Sequence, residues 1–301
     1  MKKLLFTLLF LTLGTAWGGA YEDGGAAFDR KDYATAIKIW RPLAERGNRP
    51  AQTMLGAMYN EGTAVTQDYK EAVKWYRLAA EQGYADAQFD IGYMYYNGHG
   101  VTKDYKEAAK WYRLAAEQGY VKSQYNLGAM YDNGQGVPQS YKEAVKWYRL
   151  SAEQGYARAQ FNLGTMYDLG QGVTQDYKEA AKWYRLAAEQ GYVKSQYNLG
   201  YMYDIGHGVL QDYKEAVKWY RLAAEQGHTS AQSNLGLMYA KGQGVLQDYT
   251  RAHMWYNLAS AAGEAQGTTS RDLVAEKMTP QQIEKAQEMA KACQARNFKG
   301  C

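Results

Sequence analysis

Two hydrophobic patterns alternate along the chain. In Ala85–Asn97, Ala87, Ile91, Met94 and Tyr95 fall within about 80° of one another on a helical wheel, which predicts one helix, here helix A. In Asp104–Gln118, Tyr105, Ala108, Ala109, Tyr112, Ala115 and Ala116 share a second face, with Trp111 at its flank, which predicts helix B. Gly98-His99-Gly100-Val101 between them reads as a turn. Asp104 is placed as an N-cap with Glu107 three residues on, the spacing of a capping box, and Gly119 as the left-handed stop.

The pair of patterns then returns. Trp75, Trp111, Trp147, Trp183, Trp219 and Trp255 are each 36 residues apart, and Asp104–Val137 reads again at Asp176–Val209 with changes only at 129/201, 133/205 and 135/207. A period of this length predicts an all-α fold, an α-solenoid of helix-turn-helix units in a right-handed superhelix, each unit burying its apolar face against its neighbours. Gly92 breaks helix propensity, a cost of about 1 kcal/mol against Ala. Its return at 56, 128, 164, 200 and 236 predicts a close approach by a neighbouring backbone, with the small Ala108 and Ala115 as counterparts.

These residues resemble the Sel1-like repeat (SLR) family, a branch of the tetratricopeptide superfamily. The family pattern appears as Ala159, Leu163, Gly164, Tyr167, Gly170, Gly172, Val173, then Asp176, Ala180, Trp183, Ala187, Ala188 and Gly191. Ala64 stands where the pattern has Gly, and Ser140 where most units have Asp. The resemblance covers six units over residues 51–263. Residues 21–50 read as a degenerate capping unit, in which Ala27, Tyr33, Ala36, Trp40 and Ala44-Glu45-Arg46-Gly47 echo helix B after a shorter turn. Residues 264–301 read as a C-terminal capping helix and tail, the helix starting at Thr279-Pro280 and running to Ala295.

Residues 1–20 have the make-up of a signal peptide. Lys2 and Lys3 precede an apolar run over Leu4–Leu13, and small residues follow at Gly14, Ala16, Gly18 and Ala20, which predicts cleavage after Gly18 or Ala20. The apolar run is shorter than the roughly 20 residues a membrane span requires. An exported protein of the periplasm, the cell surface or the medium is expected, with no transmembrane segment in the mature chain. Without Lys2 and Lys3 the formal charge falls from +4 to +2, which does not suggest a nucleic-acid partner.

Chemistry is sparse. The two cysteines, Cys293 and Cys301, lie eight apart at the C-terminus. In an exported chain a disulfide is the leading reading, worth about 2.5 kcal/mol in the chain-entropy model; free thiols or a covalent dimer are the alternatives. No metal, cofactor or catalytic residue is expected. His99 and His207 occupy a turn position that holds Gln135, Gln171 and Gln243 elsewhere, and His228 and His253 stand where other units have Tyr and Lys. Some exported members of the resembled family bind or hydrolyse penicillins, but they carry a helix-linking Cys pair in each repeat. This chain has neither those pairs nor a Ser-x-x-Lys, Ser-Asp-Asn, Lys-Thr-Gly or Gly-x-Ser-x-Gly motif.

The units differ most at helix A positions 53/57/60 and their equivalents, opposite the core face, where solenoids of this type present a concave groove. The candidate partner-binding residues are Phe89, Tyr93, Tyr96, Tyr125, Asp132, Phe161, Asp168, Tyr197, Tyr201 and Asp204. Exposed aromatics are common anchors of protein interfaces; the competing expectation is that these rings pack between adjacent units. The recurring Lys106, Lys110, Arg113 and Glu117 read as a solvated face with local ion pairs. A protein partner is the favoured expectation, with roles in envelope assembly, signalling or host-cell interaction implied by the resemblance. A binder of cell-wall fragments is the second reading, and a β-lactam enzyme the third.

Overall fold

The computed structural model describes residues 19–301, so all but the last two residues of the signal peptide read over 1–20 lie outside the described part. Sixteen helices and no strand occur among the described residues. They fall in two compact units, up to Leu150 and from Ser151. The first holds α1 (19–29), α2 (Tyr33–Glu45), α3 (Arg49–Glu61), α4 (Tyr69–Glu81), α5 (Ala85–Asn97), α6 (Tyr105–Glu117), α7 (Val121–Asn133) and most of α8 (Tyr141–Glu153). The second holds α9 (Ala157–Leu169), α10 (Tyr177–Glu189), α11 (Val193–Ile205), α12 (Tyr213–Ala224), α13 (Thr229–Lys241), α14 (Tyr249–Ala261), α15 (Ala265–Ala275) and α16 (Pro280–Ala295).

In each unit the repeat helices pack on their neighbours in sequence, the layout of an all-α repeat solenoid. The residues of one pair show why. Ala87, Ile91 and Met94 of α5 and Ala108, Tyr112, Ala115 and Ala116 of α6 are buried, the faces the periodicity predicts. The α5 helix stops at Gly98, whose left-handed backbone at φ 77° lets its N–H reach the Met94 carbonyl. Asp104 then caps α6 by accepting from the N–H groups of Lys106 and Glu107. The return half of the expected capping box is absent there: Glu107 pairs with Lys110 instead.

One expectation needs correction. The neighbour of Gly92 is chiefly a ring. A Cβ on Gly92 would stand 2.8 Å from the Tyr112 ring, with the Ala108 carbonyl farther off at 3.4 Å. Gly56, Gly128, Gly164, Gly200 and Gly236 meet Tyr76, Tyr148, Tyr184, Tyr220 and Tyr256 in the same way. Trp40 in turn belongs to this tyrosine register. Thirty-six residues before Tyr76, it lies over Gly24, where a Cβ would stand 2.3 Å from its Nε1, and its N–H donates to the Tyr21 carbonyl.

The C-terminal end holds one more helix than the pattern shows. α15 packs on α14, and α16 packs on α14 as well. α16 begins at Thr279 with a full capping box to Gln282 and Pro280 in its first turn. Cys293 is buried and paired with Cys301 across a Cα separation of 5.6 Å. Phe298 in the intervening loop reaches Gly227.

Candidate partner-binding surface

The helix A positions are built differently from one another, although the scaffold beneath them repeats. Tyr93 and Tyr201 are the exposed ones, at 44% and 47% of full accessibility. The other eight candidates are half-buried. Phe89 lies against Tyr112 and Tyr120, with ring centroids 5.8 and 5.2 Å away. Tyr125 lies against Tyr148, Phe161 against Tyr184 and Tyr192, and Tyr197 against Tyr220 and the stacked His228. Tyr96 meets Tyr105 edge-on at 5.0 Å, and its hydroxyl donates to Gln135 Oε1. These rings therefore pack on the following helix of their own pair as well as border the surface.

The three acids are tied to the same scaffold. The hydroxyls of Tyr148, Tyr184 and Tyr220 donate to Asp132, Asp168 and Asp204 at 3.2, 3.4 and 3.2 Å. Burial raises each carboxyl above its ordinary range, and the phenol hydrogen bond opposes that rise. The buried phenols are shifted in turn: burial, with the Asp168 charge beside it, pushes the Tyr184 hydroxyl up to about 12.

In the first unit this surface has a cavity of about 260 Å³. Tyr93, Tyr96 and Asn97 of α5, Tyr112 of α6, and Tyr125, Asn126, Ala129 and Met130 of α7 line it. Small Ala129 leaves the room. Asn126 hydrogen-bonds the Tyr112 hydroxyl at the floor.

Two ladders escaped the sequence reading. Arg77, Arg113, Arg185 and Arg221 each donate to a tyrosine 18 residues on, at Tyr95, Tyr131, Tyr203 and Tyr239. Arg113 is thus a tie from helix B to the next helix A and not simply part of a solvated stripe; Lys110, by contrast, does form a local ion pair, with Glu107. Gln88, buried near the start of α5, donates to the Ala80 carbonyl and accepts from Gln118 at 2.7 Å. Gln52, Gln160 and Gln196 make the same two bonds. The signal was present as a Gln at one helix A position in all six units, at 52, 88, 124, 160, 196 and 232.

The histidines have structural places. His99 and His207 stack on Tyr69 and Tyr177. His228 caps α13, its Nδ1 accepting from the Ala231 N–H, and burial lowers its pKa toward the neutral form that can accept. Burial likewise lowers the pKa of His253.

A model of the Sel1 repeat matches residues 49–84, 85–120, 121–156, 157–192, 193–228 and 229–264. The chain belongs to the Sel1 repeat family. The solved Sel1 repeat protein from Oxalobacter formigenes is 34% identical to it, covering 80% of this chain and 96% of that one with a TM-score of 0.69. The structure of c5321, a protective antigen of uropathogenic Escherichia coli strains with an SLR fold, is 29% identical, covering 94% and 85% with a TM-score of 0.54. A search of curated proteins found no match. Sel1 repeats form scaffolds suited to protein–protein binding, and the family is typically non-catalytic. Among the described residues of this Sel1 repeat protein, no helix is long and apolar enough to cross a membrane.

Proposed function

We propose that this chain is an exported bacterial scaffold that binds a protein partner through helix A faces, the one carrying Tyr93 in the first unit and the one carrying Tyr201 in the second. One observation carries the reading. Asp104–Val137 and Asp176–Val209 are near copies, yet one of their three differences is Ala129 against the exposed Tyr201. Tyrosine offers large contact area at little entropy cost, and an exposed aromatic with no scaffold duty is available to a partner.

Export rests on the charged and apolar start of the chain and on the cysteine pair, which suits an oxidising compartment. Ala20 and Tyr21 pack against the buried cluster around Trp40, which supports cleavage after Gly18 over Ala20. Residues 19–47 then cap the first unit, and 265–301 close the second. One similar structure is of a protective antigen, which fits a protein met outside the cell and supports a role in the envelope or in host contact. The cell-wall reading has weaker support, since Asp132, Asp168 and Asp204 are engaged by tyrosine hydroxyls.

A photo-crosslinking amino acid placed at 93, 201 or 110 tests the reading in the native host. Positions 93 and 201 should trap one common protein. Trapping from 110 alone would move the interface to helix B and overturn it.

A further inference from the structure

We propose that the turn edge of the second unit, which carries Leu210 and Leu246, docks on an anionic phospholipid surface. This edge is distinct from the helix A faces, and the lipid contact does not rest on the partner-binding role proposed for them.

The apolar half of the edge comes from two turns. Gly208 and Gly244 seat the turns after α11 and α13 on the starts of α10 and α12, so closely that a Cβ on either would overlap the carbonyl of Tyr177 or Tyr213. Val209 and Val245 then pack against the core clusters. The residue after each valine points out: Leu210 and Leu246 are both 91% exposed, more than any other large apolar side chain among the described residues. The fold does not require leucine there, because the equivalent turns hold Thr66, Thr102, Pro138 and Thr174. Two uncovered leucines at equivalent turns of one unit therefore mark a contact surface.

The charged half lies beside them. Two adjoining hollows of about 530 and 440 Å³ run along α12 next to the turn that carries Leu246. Lys214, Lys218, Arg221 and Arg251 line them, with Asp248 as the one acid in the lining. Val217, Leu222 and Val245 supply apolar walls. Glu215 pairs with Lys218 at 3.1 Å and Asp248 with Arg251 at 3.6 Å. Asp212 is engaged as the cap of α12, accepting from the backbone of Lys214 and Glu215. Arg221 donates to the neutral Tyr239 hydroxyl, and the Lys214 side chain forms no ion pair among the described residues. Two positive charges in this lining are thus left without a carboxylate.

Charge and shape together select the occupant. Uncompensated cations favour an anionic partner, and headgroups of an anionic bilayer supply that charge as a continuous surface. A protein would need two pockets set at the repeat spacing to cover both leucines. A bilayer accepts projecting apolar tips without preformed pockets, while long cationic side chains reach its headgroups. The first unit is the internal control. Its α4 and α6 carry the same stripe, Lys70, Lys74 and Arg77, then Lys106, Lys110 and Arg113, but the turns seated on them present Thr102 and Pro138. The cations recur in both units, and the leucine tips occur in the second alone.

The test is flotation of the mature chain with vesicles of phosphatidylglycerol and phosphatidylcholine in equal parts, against vesicles of phosphatidylcholine alone. The mixed vesicles should bind at least about tenfold tighter, and high salt should release the chain. Leu210→Thr with Leu246→Thr installs the residue of sister repeats, so the melting temperature should hold while vesicle binding weakens by about tenfold or more. Lys214→Gln should weaken binding to the mixed vesicles by about fivefold. Pro138→Thr, at the equivalent turn of the first unit, should change neither. No binding to either vesicle, equal binding to both, or full binding by the double leucine variant overturns the proposal. A photo-crosslinker at 246 that traps a protein, with vesicles left unbound, overturns it in favour of a protein interface. Crosslinks from 93 and 201 report on the partner-binding role alone, so that role can stand when the lipid contact fails, and the reverse.

Discussion

A Cβ placed on Gly128 would stand 2.7 Å from Cδ1 of Tyr148, so the ring of α8 rests directly on the backbone of α7. The same contact recurs from Gly56–Tyr76 to Gly236–Tyr256 and joins consecutive helices. Gly128→Ala should therefore lower stability by about 1–3 kcal/mol through overpacking, despite alanine's better helix propensity. Gly25→Ala is the control, since nothing lies within 4 Å of a Cβ there. It should raise stability by about 0.5–1 kcal/mol. Thermal melts of the two variants check the pair; equal shifts would remove the ring contact as the reason for these glycines.

Asp90 gives a pH-dependent prediction. Burial first, then the Asp86 charge, pushes its carboxyl up to about 7, with Lys122 opposing. The groups facing it are Asp86 on α5, Tyr76 on α4, Tyr112 on α6, and Tyr120 and Lys122 beyond. The folded chain thus holds this proton more tightly than the unfolded chain. Stability from this group falls as pH rises from about 4 to about 7 and stays low above that. Asp90→Asn should stabilise at pH 8, by on the order of 2 kcal/mol, and much less at pH 4. Melts of both proteins at the two pH values decide it; the same shift at both would contradict the burial of a charge.

The C-terminal pair makes a third case. Cys293 and Cys301 should appear as one linked peptide in a non-reduced digest, and two alkylatable thiols would contradict the pairing. Cys301→Ser should leave the main thermal transition nearly unchanged, because a terminal element can fray without opening the array. Its effect should appear as faster hydrogen exchange in α16.

The helices of the six units were legible because the apolar period, the Asp cap and the Gly stops all mark the same boundaries. α5 spans Ala85–Asn97 as the pattern predicts. α15 was hidden because Arg271, Asp272 and Ala275 stand where α13 has Leu235, Gly236 and Tyr239, which erases the apolar signature. The candidate surface was half legible. Variation between units pointed to Tyr93 and Tyr201, but helical wheels cannot show that Phe89 and Tyr197 also pack on the following helix of their own pair. Arg113 carried a surface-like pattern, and only the fold brings Tyr131 within its reach.

The central claim separates scaffold from binding surface, and one paired measurement tests it most directly. Trp147 is buried, at 4% of full accessibility, so Trp147→Ala should cost roughly 3–5 kcal/mol and lower the melting temperature. Tyr96 is left intact because it bonds Gln135. The double variant Tyr93→Ala with Tyr201→Ala should melt close to the parent and bind the crosslinked partner at least about tenfold more weakly, as expected for two exposed anchors. A double variant that melts as poorly as Trp147→Ala, or that binds the partner as well as the parent, would contradict the account.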